Sequence, residues 1–191
     1  MFIRLKKVKK RSGKEYEYAH LVRGVWKKRK KVVTSERVFI KNFNNSVHRY
    51  SKMLGRAYRF EKIRDLDFSA FLGTDFENFT ENNSVEEIYK KLLEYELVCR
   101  GFKKINGVYN CGRIYVDLGR LIIHDGKRDV VLKLNERGGY LCSLNLNDLF
   151  NIKSVNGRYE GIHLMKKLKM CGVNMGADNF YFLVNSLLKK N

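Results

Sequence analysis

Cations and strand-forming residues alternate through the first third of this 191-residue chain, and that interleaving limits its folds more than any other feature. Residues 1–60 hold 19 Lys or Arg against 3 Asp or Glu, a net of +16, whereas residues 61–191 hold 20 against 17, a net of +3. A block of like charge normally marks a solvated tail. Here the cations are set among Phe2, Ile3, Leu5, Val8, Tyr16, Tyr18, Leu21, Val22, Val25, Trp26, Val32, Val33, Val38, Phe39 and Ile40. β-branched and aromatic residues among polar ones, bounded by turn signals, are the pattern of strands. With 44% hydrophobic residues overall, the chain has the apolar material for a core, which excludes a disordered polycation.

Residues 2–10 read as one strand, Arg11-Ser12-Gly13-Lys14 as a hairpin turn, and residues 15–23 as the partner strand. Alternation sends Phe2, Arg4 and Lys6 to one face and Ile3, Leu5 and Lys7 to the other. Tyr16 and Tyr18 share a face opposite Glu15, Glu17 and Ala19. Gly24 permits a bend, and residues 25–40 read as one or two further strands around the run Lys27-Lys28-Arg29-Lys30-Lys31, which forms a loop. A helix is expected over residues 44–54, capped by Asn44, Asn45 or Ser46 and closed by Gly55.

Between Glu61 and Asn83 the charge reverses, with six acids against Lys62 and Arg64 and a repeated Phe, which predicts a connector carrying a short helix at residues 67–72. Its acids either neutralise part of the basic sheet or are simply solvated. Ser84-Val85-Glu86-Glu87 is a capping box that starts a helix running to Arg100 and stopping at Gly101, supported by Glu86–Lys90 and Glu87–Lys91 pairs. A second β region follows. Residues 102–105 and 108–109 flank the hairpin turn Asn106-Gly107, and strands at 114–118, 121–124 and 130–134 follow, with a short edge at 140–143. Helices at 145–152, 158–171 and 178–189 end the chain, the last with Phe180, Leu183, Val184, Leu187 and Leu188 on one face.

The expected class is α+β: a small basic antiparallel N-terminal sheet plus a C-terminal antiparallel sheet packed with several helices. The domains divide as 1–60, a basic nucleic-acid-binding sheet and helix; 61–83, an acidic aromatic connector; and 84–191, an α+β domain.

Chemistry is sparsely signalled. The chain has no P-loop, dinucleotide fingerprint, zinc-protease helix or nucleophile elbow. Cys99, Cys111, Cys142 and Cys171 are too sparse for a disulfide scaffold and lack the short spacings of a zinc site, and Cys99 and Cys171 fall on apolar helix faces as core thiols. His20, His48, His124 and His163 are scattered. No metal, cofactor or catalytic residue is therefore expected. Apolar runs are far shorter than the ~18 residues of a membrane span, and the start has no secretory h-region, so the expectation is a soluble cytoplasmic protein with no membrane partner.

Lys and Arg neutralise phosphates and release condensed counterions, giving salt-sensitive binding without sequence information. Arg4, Lys6, Lys7, Lys9, Lys10, Lys14, Lys27, Lys28, Arg29, Lys30 and Lys31 are the expected phosphate contacts, with Arg49, Lys52 and Arg56 as a second tier on the helix. Tyr16, Tyr18 and Trp26 are the candidates for stacking on unpaired bases.

The opening Met1-Phe2-Ile3-Arg4, the Lys-rich stretch, Gly13-Lys14-Glu15-Tyr16-Glu17-Tyr18 and Leu21-Val22 resemble the N-terminal β-hairpin of some basic archaeal proteins and of certain insertion-sequence transposases. Leu54-Gly55-Arg56 is comparable to a Leu-Gly-Arg that follows in that pattern, and Gly101-Phe102, Tyr115-Val116-Asp117-Leu118 and Leu134-Asn135-Glu136 resemble segments of small uncharacterised archaeal proteins. The resemblance covers about a third of the chain and implies an archaeal setting and nucleic-acid contact. A transposase itself is disfavoured, because its catalytic domain does not fit in the remaining length.

The function expected is that of a non-catalytic RNA-binding protein contacting structured RNA, ribosomal or transfer RNA or a ribonucleoprotein, with the C-terminal part as scaffold or protein-interaction surface. RNA is preferred to DNA because the basic element reads as a sheet with aromatics, not a recognition helix. Two alternatives stand beside it. A metal-dependent nuclease would need Asp117 and another acid to converge near Lys127 or Lys133, since Asp117 with Asp125-Gly126-Lys127 fits the letters of one such motif. A DNA-binding regulator would use the helices at 145–152 and 158–171, with Lys166, Lys167 and Lys169 meeting phosphate.

Overall fold

A computed structural model of the chain describes residues 1–26, 32–34, 37–39, 46–135 and 138–189; for residues 26, 32–34, 37–39, 46–48 and 189 the description is of the backbone. The chain forms two compact units, Met1–Leu54 and Gly55–Asn191. Helices and largely antiparallel sheets are segregated along it, which is the α+β class.

In the first unit β1 (Phe2–Lys9) and β2 (Glu15–Trp26) form an antiparallel hairpin, from Phe2 opposite Val22 to Lys9 opposite Glu15. Its turn closes through the Gly13 N–H to the Lys10 carbonyl and the Lys10 N–H to the Lys14 carbonyl, both 2.9 Å, and Gly13 supplies the left-handed φ of 77° that the turn requires. β2 continues through Gly24 as strand instead of bending there. β3 (Val32–Thr34) and β4 (Arg37–Phe39) pair with each other, and β5 (Ser46–Arg59) lies beside β2.

β5 corrects the expectation of a helix over 44–54. Residues 49–53 are exposed without interruption, so neither a period of two nor one of 3.6 is written into them, and local capping letters give a false helix signal. Val47, Tyr50 and Tyr58 are strand formers. Gly55 is not a helix stop: with φ 123° it lets the strand pass Asp129, whose carbonyl oxygen would lie 2.2 Å from a Cβ at that position.

The second unit begins inside β5 and includes residues 61–83. That segment folds as two short helices, α1 (Phe68–Leu72) and α2 (Phe76–Asn82). Asp67 and Asp75 act as their N-caps, accepting the N–H groups of Ala70 and Asn78 at 2.7 Å. α3 (Val85–Val98) carries the complete capping box: Ser84 Oγ accepts the Glu87 N–H, and Glu87 accepts the Ser84 N–H at 2.8 Å. Lys90 pairs with Glu86 at 2.8 Å, and Lys91 lies 3.4 Å from Glu94.

An antiparallel sheet follows: β6 (Lys103–Ile105), β7 (Val108–Cys111), β8 (Ile114–Asp117) and β9 (Ile122–His124). Tyr109, Ile114, Val116 and Ile123 bury one face against Ile88, Leu92, Leu93 and Leu97 of α3 and the apolar faces of α4 (Ser143–Phe150), α5 (Arg158–Met170) and α6 (Ala177–Lys189). Each fully buried Leu or Ile contributes about 1.5–3 kcal/mol of transfer free energy. On α6, Leu183 and Leu187 are buried while Leu188 is exposed.

β10 (Val130–Lys133) does not extend this sheet. It pairs in parallel with Arg56–Arg59 of β5 and antiparallel with β11 (Tyr140–Leu141). Val130, Val131 and Leu132 are all buried, so both faces of the strand are covered. An unbroken apolar run is the sequence of such a central strand, distinct from the alternation of β7 and β8.

The carbonyl ends of α3, β5 and β10 meet on one buried ion pair. Arg100 and Glu96 are 3% and 1% exposed and bonded to each other. The guanidinium also donates to the carbonyls of Phe60 (3.2 Å), Glu96 (2.7 Å) and Leu134 (2.8 Å) and to Asn135 Oδ1 (3.1 Å). The second Glu96 oxygen accepts the Asn174 N–H at 3.3 Å, and Asn135 Nδ2 donates to the Gly172 carbonyl. A charge withdrawn from water this completely is tolerable only because its donors are matched.

Candidate nucleic-acid interface

The hairpin register sorts the predicted phosphate contacts into two faces. Arg4 stands opposite His20, Lys6 opposite Tyr18 and Val8 opposite Tyr16. On the other face Ile3 meets Leu21, Leu5 meets Ala19, Lys7 meets Glu17 and Lys9 meets Glu15. The acids of β2 therefore share a face with Lys7 and Lys9, and the rings share a face with Arg4 and Lys6. Arg4, Lys6, Lys7, Lys9, Lys10, Arg11 and Lys14 are all exposed.

Tyr16, Tyr18 and His20 are half-buried, so each presents only part of its ring to solvent. Lys10 Nζ sits 5.0 Å from the centre of the Tyr16 ring, and Tyr50, 55% exposed, meets His20 edge-on at 5.3 Å. Lys27, Lys28, Arg29, Lys30, Lys31 and the side chains of Trp26 and His48 lie outside the described residues.

Arg49, Lys52 and Arg56 lie on a strand, not on a helix. Helical spacing would have grouped them on one face; strand alternation instead places the exposed Arg49 and Lys52 on opposite faces of β5. Arg56 belongs to the second unit, where its guanidinium lies 4.8 Å from the Tyr58 ring centre.

The acids proposed for a metal site are engaged in their own turns. Asp117 Oδ1 accepts the N–H groups of Gly119 and Arg120, both at 2.9 Å. Asp125 Oδ1 accepts those of Lys127 (3.2 Å) and Arg128 (3.0 Å), and its Oδ2 accepts the Tyr58 hydroxyl at 3.3 Å. Partial burial opposes ionisation of Asp125, but those N–H groups, the hydroxyl and the nearby Arg113 hold its carboxyl below the usual range. Burial raises the Tyr58 hydroxyl despite the Arg56 and Arg113 guanidinium groups beside its ring. Among the described residues, no three His, Cys, Asp or Glu side chains gather where they could hold a metal.

Cys99, Cys142 and Cys171 are buried, and burial raises the Cys142 and Cys171 thiols above the ordinary range. Both are thus poor nucleophiles. On α5 Lys166 and Lys169 are exposed, whereas Lys167 is paired with Asp148 of α4. No helix among the described residues is long and apolar enough to cross a membrane.

Sequence reasoning left out two groups. The Glu96–Arg100 pair has the spacing of any helical surface pair, and only tertiary packing reveals its burial. Tyr115 and His124, stacked on the solvent face of the four-stranded sheet, are legible in part: Tyr115 sits between the core residues Ile114 and Val116, so it must point the other way. No family model, curated protein or solved structure matches this chain.

Proposed function

We propose that this chain is a non-catalytic RNA-binding protein that contacts structured RNA through its basic N-terminal hairpin. One observation carries the reading: the described cations of residues 1–14 are all exposed, and the register places acids opposite only Lys7 and Lys9. A field of that sign attracts phosphate and steers encounter. Half-buried rings beside Arg4 and Lys6 supply apolar area for ribose or base, a chemistry suited to RNA loops and bulges more than to a duplex groove.

The test is the salt dependence of binding to a structured RNA. Replacing Arg4, Lys6 and Lys10 together by Gln lowers affinity and flattens the log–log salt slope by about 0.7–0.9 for each phosphate no longer neutralised. Duplex DNA of equal length competes poorly against the RNA. An unchanged slope in the triple variant overturns the reading, and stronger competition by DNA turns it towards a DNA-binding regulator.

A further inference from the structure

The outer face of the β6–β9 sheet carries a feature that the fold does not need. Pairing aligns Lys103, Asn110, Tyr115 and His124 in one row across the four strands. The other side of these strands is committed to the core through Tyr109, Ile114, Val116 and Ile123. Tyr115, 36% exposed, lies nearly parallel to the His124 ring, with centroids 5.1 Å apart and planes 15° apart.

The pair is held in place. His124 Nδ1 accepts the Gly126 N–H at 3.0 Å, which fixes the imidazole. The turn at Gly126 comes within 3.9 Å of the Tyr115 ring edge, measured from where a Cβ would stand. Four exposed cations belong to the same segments: Arg113 two residues before Tyr115, its guanidinium 5.1 Å from the Tyr58 ring centre; Lys103 in the same row two strands away; and Lys127 and Arg128 on the turn after His124. The acids nearest in sequence, Asp117 and Asp125, are engaged by backbone N–H groups, and Asp129 is the exposed exception.

We propose that this face is a second nucleic-acid site, in which the Tyr115–His124 stack receives an unpaired base while Arg113, Lys103, Lys127 and Arg128 meet the flanking phosphates. An exposed ring stacked on a second ring, on a sheet and turn that carry exposed cations, matches a π-face next to a polyanion, the chemistry of single-stranded nucleotides. An acidic protein surface would satisfy the cations but make no use of the ring. A duplex would satisfy them too, but its bases are already stacked. The inference rests on the nucleic-acid reading above and assigns it a different part of the chain.

The experiment titrates the full chain against a uridine homopolymer and against a blunt RNA duplex of the same length. Tyr115→Ala weakens single-strand binding about 5- to 150-fold and leaves the duplex unchanged, while Tyr115→Phe keeps wild-type affinity. Arg113→Gln with Lys127→Gln flattens the single-strand salt slope, and short-wave crosslinking labels the peptide holding Tyr115. Tyr115→Ala binding the homopolymer as wild type does, or Tyr115→Phe losing as much as Ala, overturns the site. The hairpin triple variant separates the two readings. If it alone weakens binding, the sheet site falls and the hairpin stands; if only the Tyr115 and Arg113 variants do, the reverse holds. A chain that binds neither nucleic acid removes both. Should Tyr115→Ala lower the melting temperature, the Arg113 and Lys127 variant, whose side chains lie outside the core, decides the matter.

Discussion

Replacing Arg100 by Met removes the centre of the second unit's polar interior, and its cost can be worked from the hydrogen bonds it makes. The side chain donates five: two to Glu96 and one each to Phe60, Leu134 and Asn135. Methionine keeps the stem's volume and loses every donor. The carbonyls of Phe60 and Leu134 are then stranded, at about 1–3 kcal/mol each. The Glu96 carboxylate keeps only the Asn174 N–H, and breaking one side of a buried ion pair costs about 3–5 kcal/mol. These two counts overlap, so the expected loss is about 4 kcal/mol, or about 8–16 °C in melting temperature for a chain of this size. Urea denaturation followed by far-ultraviolet circular dichroism measures it. Glu96→Gln, which retains an acceptor, loses less, about 1–3 kcal/mol. The double variant Glu96→Gln with Arg100→Met is milder than Arg100→Met alone, since no buried charge remains, but stays below wild type because the two carbonyls are still orphaned. If Arg100→Met unfolds within 1 kcal/mol of wild type, or the double variant recovers full stability, the network is not what joins these elements.

Two further outcomes follow from the geometry. Gly55→Ala places a Cβ against the Asp129 carbonyl at φ 123°, and left-handed strain alone costs about 1–3 kcal/mol; Gly24→Ala, with open space around it, stays within about 0.5 kcal/mol. Equal urea midpoints for the two variants would sink that account. Burial pushes the Tyr95 and Tyr109 hydroxyls up to about 12, Lys104 only partly offsetting it at Tyr109. Because the folded state favours the neutral phenol, this contribution is whole below about pH 10 and is lost as pH rises from there to about 12. Absorbance titration of the folded chain therefore leaves a late-ionising set that vanishes in urea; a single transition near pH 10 in both states contradicts it.

What the amino acids disclose depends on how locally each element is determined. α3 was legible because Ser84 and Glu87 satisfy each other within one turn, and the β6–β7 hairpin because Asn106 and Gly107 both take positive φ, 51° and 83°. The β1–β2 hairpin was legible for the same reason, its alternation and its turn agreeing. β5 was not, since its exposed middle carries no buried face to print a period. β10 is legible as a strand but its place in a sheet is not: its parallel partner lies far back in the chain, and nothing local names it. At the candidate interface composition and alternation point to the cations and to Tyr16 and Tyr18 as residues of a basic hairpin. The division into an acid-bearing face and a ring-bearing face needed the register, and the Tyr115–His124 stack needed two strands brought together.

β5 also has a consequence for how the protein is made. The β1–β2 hairpin closes within the first 26 residues, whereas Arg56 waits for Val130, 74 positions later (130 − 56), before its parallel neighbour exists. At about 5–20 residues per second of synthesis, that interval lasts roughly 4–15 s. Throughout it the strand emerges from the ribosome with open amide and carbonyl groups, the template on which nascent chains stick to one another. Arg49, Lys52, Arg56 and Arg59 punctuate this stretch, so that two copies meeting edge to edge would repel. The like charges spaced along this stretch thus oppose self-association while its partner strand is still being made.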